Sequence, residues 1–224
     1  MPERAIHIDT FKEYRKEGYS IIDLRPTETF ARGFVPGSVN IPLGKSFDMI
    51  ADLLVFKNQH ILLVSAPGQG KEGYEELVKK GFTNILGYLD GGFEHWQNAG
   101  EQVDLVISIS TGELELEIYH GDLFLIDIRE KNAYEVQHVK NSLNFEPEVL
   151  IDNYDRIDEA ITNCIFCANG EISMSLISFL KFHGKHNIYH VSGGFGKIRQ
   201  NKGVPFETPK KKDVRKPVKD NPVN

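Results

Sequence analysis

Short apolar runs and amphipathic stretches alternate along the chain, and that alternation predicts strands and helices in turn. Ile21-Ile22, Ile61 to Val64 and Asn84 to Leu89 are brief, apolar and rich in branched residues, as buried strands are. Between the last two, Glu72 to Lys80 carries apolar residues at helical spacing. The second half repeats the pattern. Strands are expected at Leu123 to Ile128, Cys164 to Cys167 and Ile188 to Val191, and a helix over Ile172 to His183. Strands joined through helical crossovers imply an α/β fold, each sheet mostly parallel with helices on both faces. Ligands of such sheets sit beyond the carboxyl ends of the strands, which draws attention to the loops after Val64 and Cys167.

The two halves are also alike residue by residue. Ser20-Ile-Ile-Asp-Leu-Arg25 recurs as Phe124-Leu-Ile-Asp-Ile-Arg129, so Asp23 and Asp127 stand 104 positions apart. Ser38-Val-Asn40 recurs as Ser142-Leu-Asn144 at the same interval, and Gly91-Gly-Phe93 as Gly193-Gly-Phe195 at 102. A duplication shortened by two residues in its second copy accounts for both intervals. The expected division is residues 1–103, residues 104–207 and a basic tail, 208–224, with the boundary near Gly100 to Val106.

Charge refines this division. The net charge is −6, but residues 208–224 hold six Lys/Arg against two Asp, which leaves the rest of the chain at −10. An acidic body argues against a nucleic-acid surface, which needs clustered cations. The proline-spaced, lysine-rich tail is expected to be solvated and disordered. No apolar run reaches the ~20 residues that cross a bilayer, so no membrane is expected. Met1-Pro-Glu-Arg4 leads into a charged stretch and not an apolar signal core, and two cysteines three apart make no disulfide framework. A cytoplasmic setting is the expectation.

Chemistry concentrates in Ile165-Phe-Cys167-Ala-Asn-Gly-Glu-Ile-Ser173. Cys167 is placed at a strand end, ahead of a loop that Gly170 allows to curl until its amides face inward. Ser173 follows near a helix start, where free N–H groups and the helix dipole favour an anion. Ala168, Asn169, Gly170, Glu171, Ile172 and Ser173 therefore form a candidate cradle for a thiolate or persulfide on Cys167, the candidate nucleophile. The plainer alternative is a buried strand cysteine acting as a small hydrophobe. The first copy is an internal control: aligning Gly68 with Gly170 sets Ser65 opposite Cys167, and each lies 26 residues before its Gly-Gly pair. A hydroxyl forms no persulfide, and Pro67 removes one loop amide, so the first copy is expected to be inactive.

Other patterns carry less. Cys164 and Cys167 are three apart on a strand and point to opposite faces, a poor geometry for a disulfide, and as a zinc half-site they lack a second pair. His183, His186 and His190 are expected on surface and turns and not as a metal cluster; no metal or organic cofactor is expected. Asp23 with Arg25, and Asp127 with Arg129, occur in both copies, which favours a structural ion pair. Trp96 falls at helical spacing and is expected in the core.

Gly33-Phe-Val-Pro-Gly-Ser-Val-Asn-Ile-Pro-Leu43, with Ile22-Asp-Leu-Arg25 before it and Leu89-Asp-Gly-Gly-Phe-Glu-His-Trp96 after it, resembles the rhodanese family. The resemblance covers roughly Phe11 to Phe206. It is looser in the second copy, where Gln137-His-Val-Lys-Asn-Ser-Leu-Asn144 loses the usual glycines. It implies two tandem rhodanese-like domains and a sulfurtransferase. Cys167 would take sulfane sulfur from a small donor and pass it to a thiol, sulfite or cyanide acceptor. Ile41-Pro-Leu-Gly-Lys-Ser-Phe47 and the cysteine-free first loop further resemble the rhodanese part of persulfide dioxygenase fusions, so a separate persulfide dioxygenase is an implied partner. Two positions depart from the family. Ala168 and Ile172 stand where active members carry arginines, and Glu171 adds a negative charge that repels an anionic donor such as thiosulfate. A low-molecular-weight persulfide suits this loop better. The sister phosphatases need an arginine where Ser173 stands, so phosphatase chemistry is not expected. The competing class is a non-catalytic binding or persulfide-sensing module built on the same fold.

Overall fold

The computed structural model describes residues 4–55 and 57–208; the expected tail, apart from Thr208, lies outside the described residues. The first copy runs β1 (Ala5–Ile6), α1 (Ile8–Lys16), β2 (Ser20–Asp23), α2 (Thr27–Ala31), β3 (Ser38–Asn40), α3 (Phe47–Leu54), β4 (Ile61–Val64), α4 (Gly70–Lys79), β5 (Ile85–Leu89) and α5 (Gly92–Asn98). The second runs β6 (Ile107–Ile109), α6 (Thr111–His120), β7 (Leu123–Asp127), α7 (Lys131–Val136), β8 (His138–Val139), β9 (Leu143–Asn144) and α8 (Pro147–Asp152). It continues through β10 (Thr162–Phe166), α9 (Glu171–Phe182), β11 (Ile188–Val191), α10 (Gly194–Ile198) and β12 (Phe206–Glu207).

Each copy builds a five-stranded parallel sheet. The orders, β1-β5-β4-β2-β3 and β6-β11-β10-β7-β9, are the same arrangement twice. The fold class read from the pattern is the one observed, two α/β domains in tandem. β4 and β10 occupy the centre of their sheets, and every residue of β4 is buried, which is why these strands read as unbroken apolar runs. A small antiparallel pair, β8 with β12, completes the second copy. No helix among the described residues is long and apolar enough to cross a membrane.

The Asp–Arg pairs hold the same structural post in both copies. Arg25 and Arg129 each form a fork onto the preceding aspartate, with Nε to Oδ1 at 2.9 Å, and each also donates to a backbone carbonyl, of Gly33 or Gln137. Their guanidinium groups lie over Phe93 and Phe195, at 4.0 and 3.4 Å from the ring centroids. Trp96 is buried against Phe11, as its spacing predicted.

The two copies share one core and are stitched together by hydrogen bonds. Ile22, Phe47 and Ile50 of the first belong to the same buried cluster as Ile165, Ile177 and Leu180 of the second. The Asn40 amide donates to Ser178 Oγ at 2.8 Å, and Lys181 of the second pairs with Asp104 of the connecting segment at 3.2 Å. The connecting segment is bonded back to the first copy, where the Phe34 amide reaches the Asp104 carbonyl at 2.8 Å and the Val106 amide reaches Ala31 at 3.0 Å.

Candidate active site

β10 ends at Phe166, and the chain then turns sharply through Cys167 to Gly170 before α9 begins at Glu171. The turn depends on Gly170, whose φ of 95° suits glycine and few other residues. Gly194 packs so closely under Cys167 that a side chain there would collide with the Cys167 carbonyl, while the Phe195 amide donates to that carbonyl at 2.8 Å. The floor of the loop is thus fixed by the second Gly-Gly-Phe segment.

Three donors converge on the Cys167 sulfur. The Gly170 amide lies at 3.1 Å, and the Ser173 amide and hydroxyl both at 3.4 Å. Sulfur is also 3.7 Å from Asn169 Oδ1, which can take a thiol hydrogen and itself accepts the Glu171 amide at 3.1 Å. All three donors reach the sulfur from the turn into α9 and its first residues. Cys167 is only 1% exposed and lies at the floor of a cleft. Cys164, equally buried, faces the opposite side of the sheet in another core cluster, and burial pushes its thiol up to about 12. Both cysteines are free.

The cleft above Cys167 has a volume of about 880 Å³ and is walled by both copies. Met49, Asp52 and Leu53 of α3 come from the first copy, and Ile128, Ala133, Pro147, Ala168 and Ile172 from the second. Glu130, Glu146 and Glu148 stand at its edge. Among the described residues its one cation is Arg129, which pairs with Asp127 and lies over the Phe195 ring. Glu171 does not project freely; Ser46 of the first copy donates to its carboxylate at 2.5 Å.

The residues of the expected cradle therefore take unequal parts. Gly170 and Ser173 touch the sulfur as donors, Asn169 sits beside it, and Ala168 and Ile172 line the cleft. Glu171 opens α9 and turns to the first copy. One expectation about histidines is corrected. His190 is not on the surface: it is 4% exposed on β11, with Nε2 3.0 Å from the Gly170 carbonyl and Nδ1 2.8 Å from Ser108 Oγ. Burial lowers its pKa to about 4, so the ring is neutral at ordinary pH. Period-two alternation along Ile188 to Val191 carried the signal, since His190 shares the buried face of Ile188.

In the first copy, Gly68 repeats the left-handed turn with φ 82°, and Gly92 approaches the Ser65 carbonyl as Gly194 approaches that of Cys167. The Ser65 hydroxyl, however, turns to its neighbour's carbonyl, Ala66 O, at 3.0 Å.

Comparison with known proteins bears on the two copies as domains. The rhodanese-like domain family matches residues 8–99 and again 110–201. The thiosulfate sulfurtransferase GlpE of Coxiella burnetii is 27% identical over 74 residues, 33% of this chain and 69% of that protein. GlpE of Pseudomonas paraeruginosa is 28% identical over 117 residues, 51% of this chain and 92% of its own length. Among solved structures, a thiosulfate sulfurtransferase from Pseudomonas aeruginosa is 16% identical with a TM-score of 0.41, matching 92% of this chain but only 44% of that one. With both copies matched, the chain belongs to the rhodanese-like domain family, as a tandem of two such domains.

Proposed function

We propose that the protein is a sulfurtransferase whose sulfur carrier is Cys167, with the first copy as an inactive partner that walls the cleft. The observation that carries this reading is the convergence of the Gly170 amide, the Ser173 amide and the Ser173 hydroxyl on one sulfur at a cleft floor. The Cys167 thiolate attacks the outer sulfur of a persulfide donor, the donor's S–S bond breaks, and the donor thiolate leaves. Cys167 then holds a persulfide. An acceptor thiolate, sulfite or cyanide attacks its outer sulfur, and the Cys167 thiolate departs. Negative charge sits on Sγ before the first displacement and returns to it in the second, where the three donors stabilise it.

The cleft supports a persulfide of a low-molecular-weight thiol over thiosulfate as donor. Thiosulfate is a small dianion and needs a free cation, whereas here Arg129 is committed and carboxylates line the edge. A cavity of about 880 Å³ with apolar walls suits a larger organic carrier. A separate persulfide dioxygenase would fit beside such an enzyme as a consumer or supplier of the same persulfides, and the cytoplasm would be a suitable compartment for it.

Initial rates with glutathione persulfide as donor and sulfite or a thiol as acceptor test this reading. Parallel double-reciprocal lines are expected for two displacements through an enzyme persulfide. Intersecting lines, or transfer only from thiosulfate, would overturn the mechanism or the choice of donor respectively.

A further inference from the structure

Ser173 has one hydroxyl hydrogen and two acceptors in reach, the Cys167 sulfur at 3.4 Å and the Gly170 carbonyl at 3.2 Å. Where that hydrogen goes decides whether sulfur has two donors or three. The Gly170 carbonyl offers two lone pairs. One receives the Met174 amide at 3.2 Å, and the other faces His190 Nε2 at 3.0 Å. A carbonyl cannot donate, so Nε2 must carry the ring hydrogen. Nδ1 is then the acceptor, and Ser108 Oγ, 2.8 Å away, supplies the hydrogen it takes.

We propose that His190, with its tautomer set by Ser108, is a positioning residue that occupies the Gly170 carbonyl and thereby directs the Ser173 hydroxyl hydrogen onto the Cys167 sulfur. This rests on the reading of Cys167 as the sulfur carrier and deepens it. Without His190, the nearer acceptor for Ser173 is the carbonyl, and sulfur keeps only its two amide donors. The first copy keeps the glycine, Gly68, but not the side chains of this arrangement. Lys71 stands in the place of Ser173 and Tyr88 in that of His190. Tyr88 pairs with Ala5 across the strands, where His190 pairs with Ser108.

The test compares the wild-type protein, His190→Phe, Ser173→Ala and the double variant. Two rates are read by intact mass: alkylation of Cys167 by iodoacetamide, and sulfur loading from glutathione persulfide. His190→Phe is expected to slow alkylation about tenfold, and Ser173→Ala by a similar factor, as the loss of one buried hydrogen bond to a charged group would. The double variant should be no slower than Ser173→Ala, because no hydroxyl is left to misdirect. Two effects that multiply would overturn the proposal. His190→Gln, which retains an N–H donor, should recover to within about threefold of wild type. If His190→Phe fails to fold, Ser108→Ala is read in its place, with a slowing of about threefold expected and an unchanged rate contradicting the proposal. Alkylation needs no sulfur donor, so this pattern in alkylation without sulfur loading would sink the sulfurtransferase reading while leaving the positioning role intact.

Discussion

The loops Ser65-Ala-Pro-Gly-Gln-Gly-Lys71 and Cys167-Ala-Asn-Gly-Glu-Ile-Ser173 have the same frame and different contents. Both follow the central strand of a five-stranded parallel sheet, both turn on a left-handed glycine, and both rest on a Gly-Gly pair. What separates them is a few side chains: Cys167, Ser173 and His190 in the second, Ser65, Lys71 and Tyr88 in the first. The fold positions a loop, and chemistry then depends on the side chains that fill it. The first copy keeps a role that needs no nucleophile. Its α3 walls the cleft, and its Ser46 holds Glu171.

The sharpest way to break the comparison is to exchange the cysteine. Ser65→Cys combined with Cys167→Ser moves the nucleophile into the first frame, where Lys71 stands in the place of Ser173 and Tyr88 in that of His190. Sulfur loading should fall at least about 10³-fold, because nucleophile and surroundings act as a unit. Loading near the wild-type rate would show that the frame alone suffices.

Acid should reveal His190 next. Its pKa is about 6.5 in an unfolded chain and about 4 in the folded one, lowered by burial. The unfolded state therefore binds the extra proton first, and stability falls as pH drops through that window, by on the order of 3 kcal/mol. His190→Gln removes this dependence, so denaturant unfolding across the same range should give a flatter profile than wild type.

Gly170→Ala comes third. A side chain at φ 95° is strained and would press on the His190 ring, which predicts a loss of about 1–2 kcal/mol in denaturant unfolding, with slower loading at Cys167. The smallest effect concerns donor charge. Glu171→Gln should raise loading from thiosulfate about threefold while leaving glutathione persulfide little changed, since one screened like charge near the surface contributes under ~1 kcal/mol. Equal gains for both donors would argue against electrostatic selection.

Much of this was legible in the residues. The 104-residue and 102-residue intervals exposed the duplication, and buried parallel strands such as Ile61 to Val64 announced themselves as apolar runs. Cys167 and Gly170 could be found because a strand end before a glycine is a local signal. The first-copy loop was expected to be inactive for want of a cysteine and because Pro67 removes a loop amide, and the second of those grounds is weak. Pro67 stands opposite Asn169, whose amide is not among the donors to sulfur, whereas Lys71 replaces a residue that gives two. His190 was missed because it lies 20 residues from Gly170 in the chain and meets it only when β11 aligns beside β10. Ser46 against Glu171 and α3 over the cleft depend likewise on how the two copies pack, which no local pattern encodes.

The central claim, that one cysteine carries sulfur, is tested most directly by intact-protein mass spectrometry. Wild type and Cys167→Ser would each be exposed briefly to glutathione persulfide, and the product cleaved to locate any added mass. The account predicts a gain of one sulfur atom on the Cys167 peptide, absent from the variant and discharged by sulfite. A gain that survives in Cys167→Ser, or no gain in a folded wild-type protein whose Cys167 also resists alkylation, would contradict it and favour a non-catalytic binding module on the same fold.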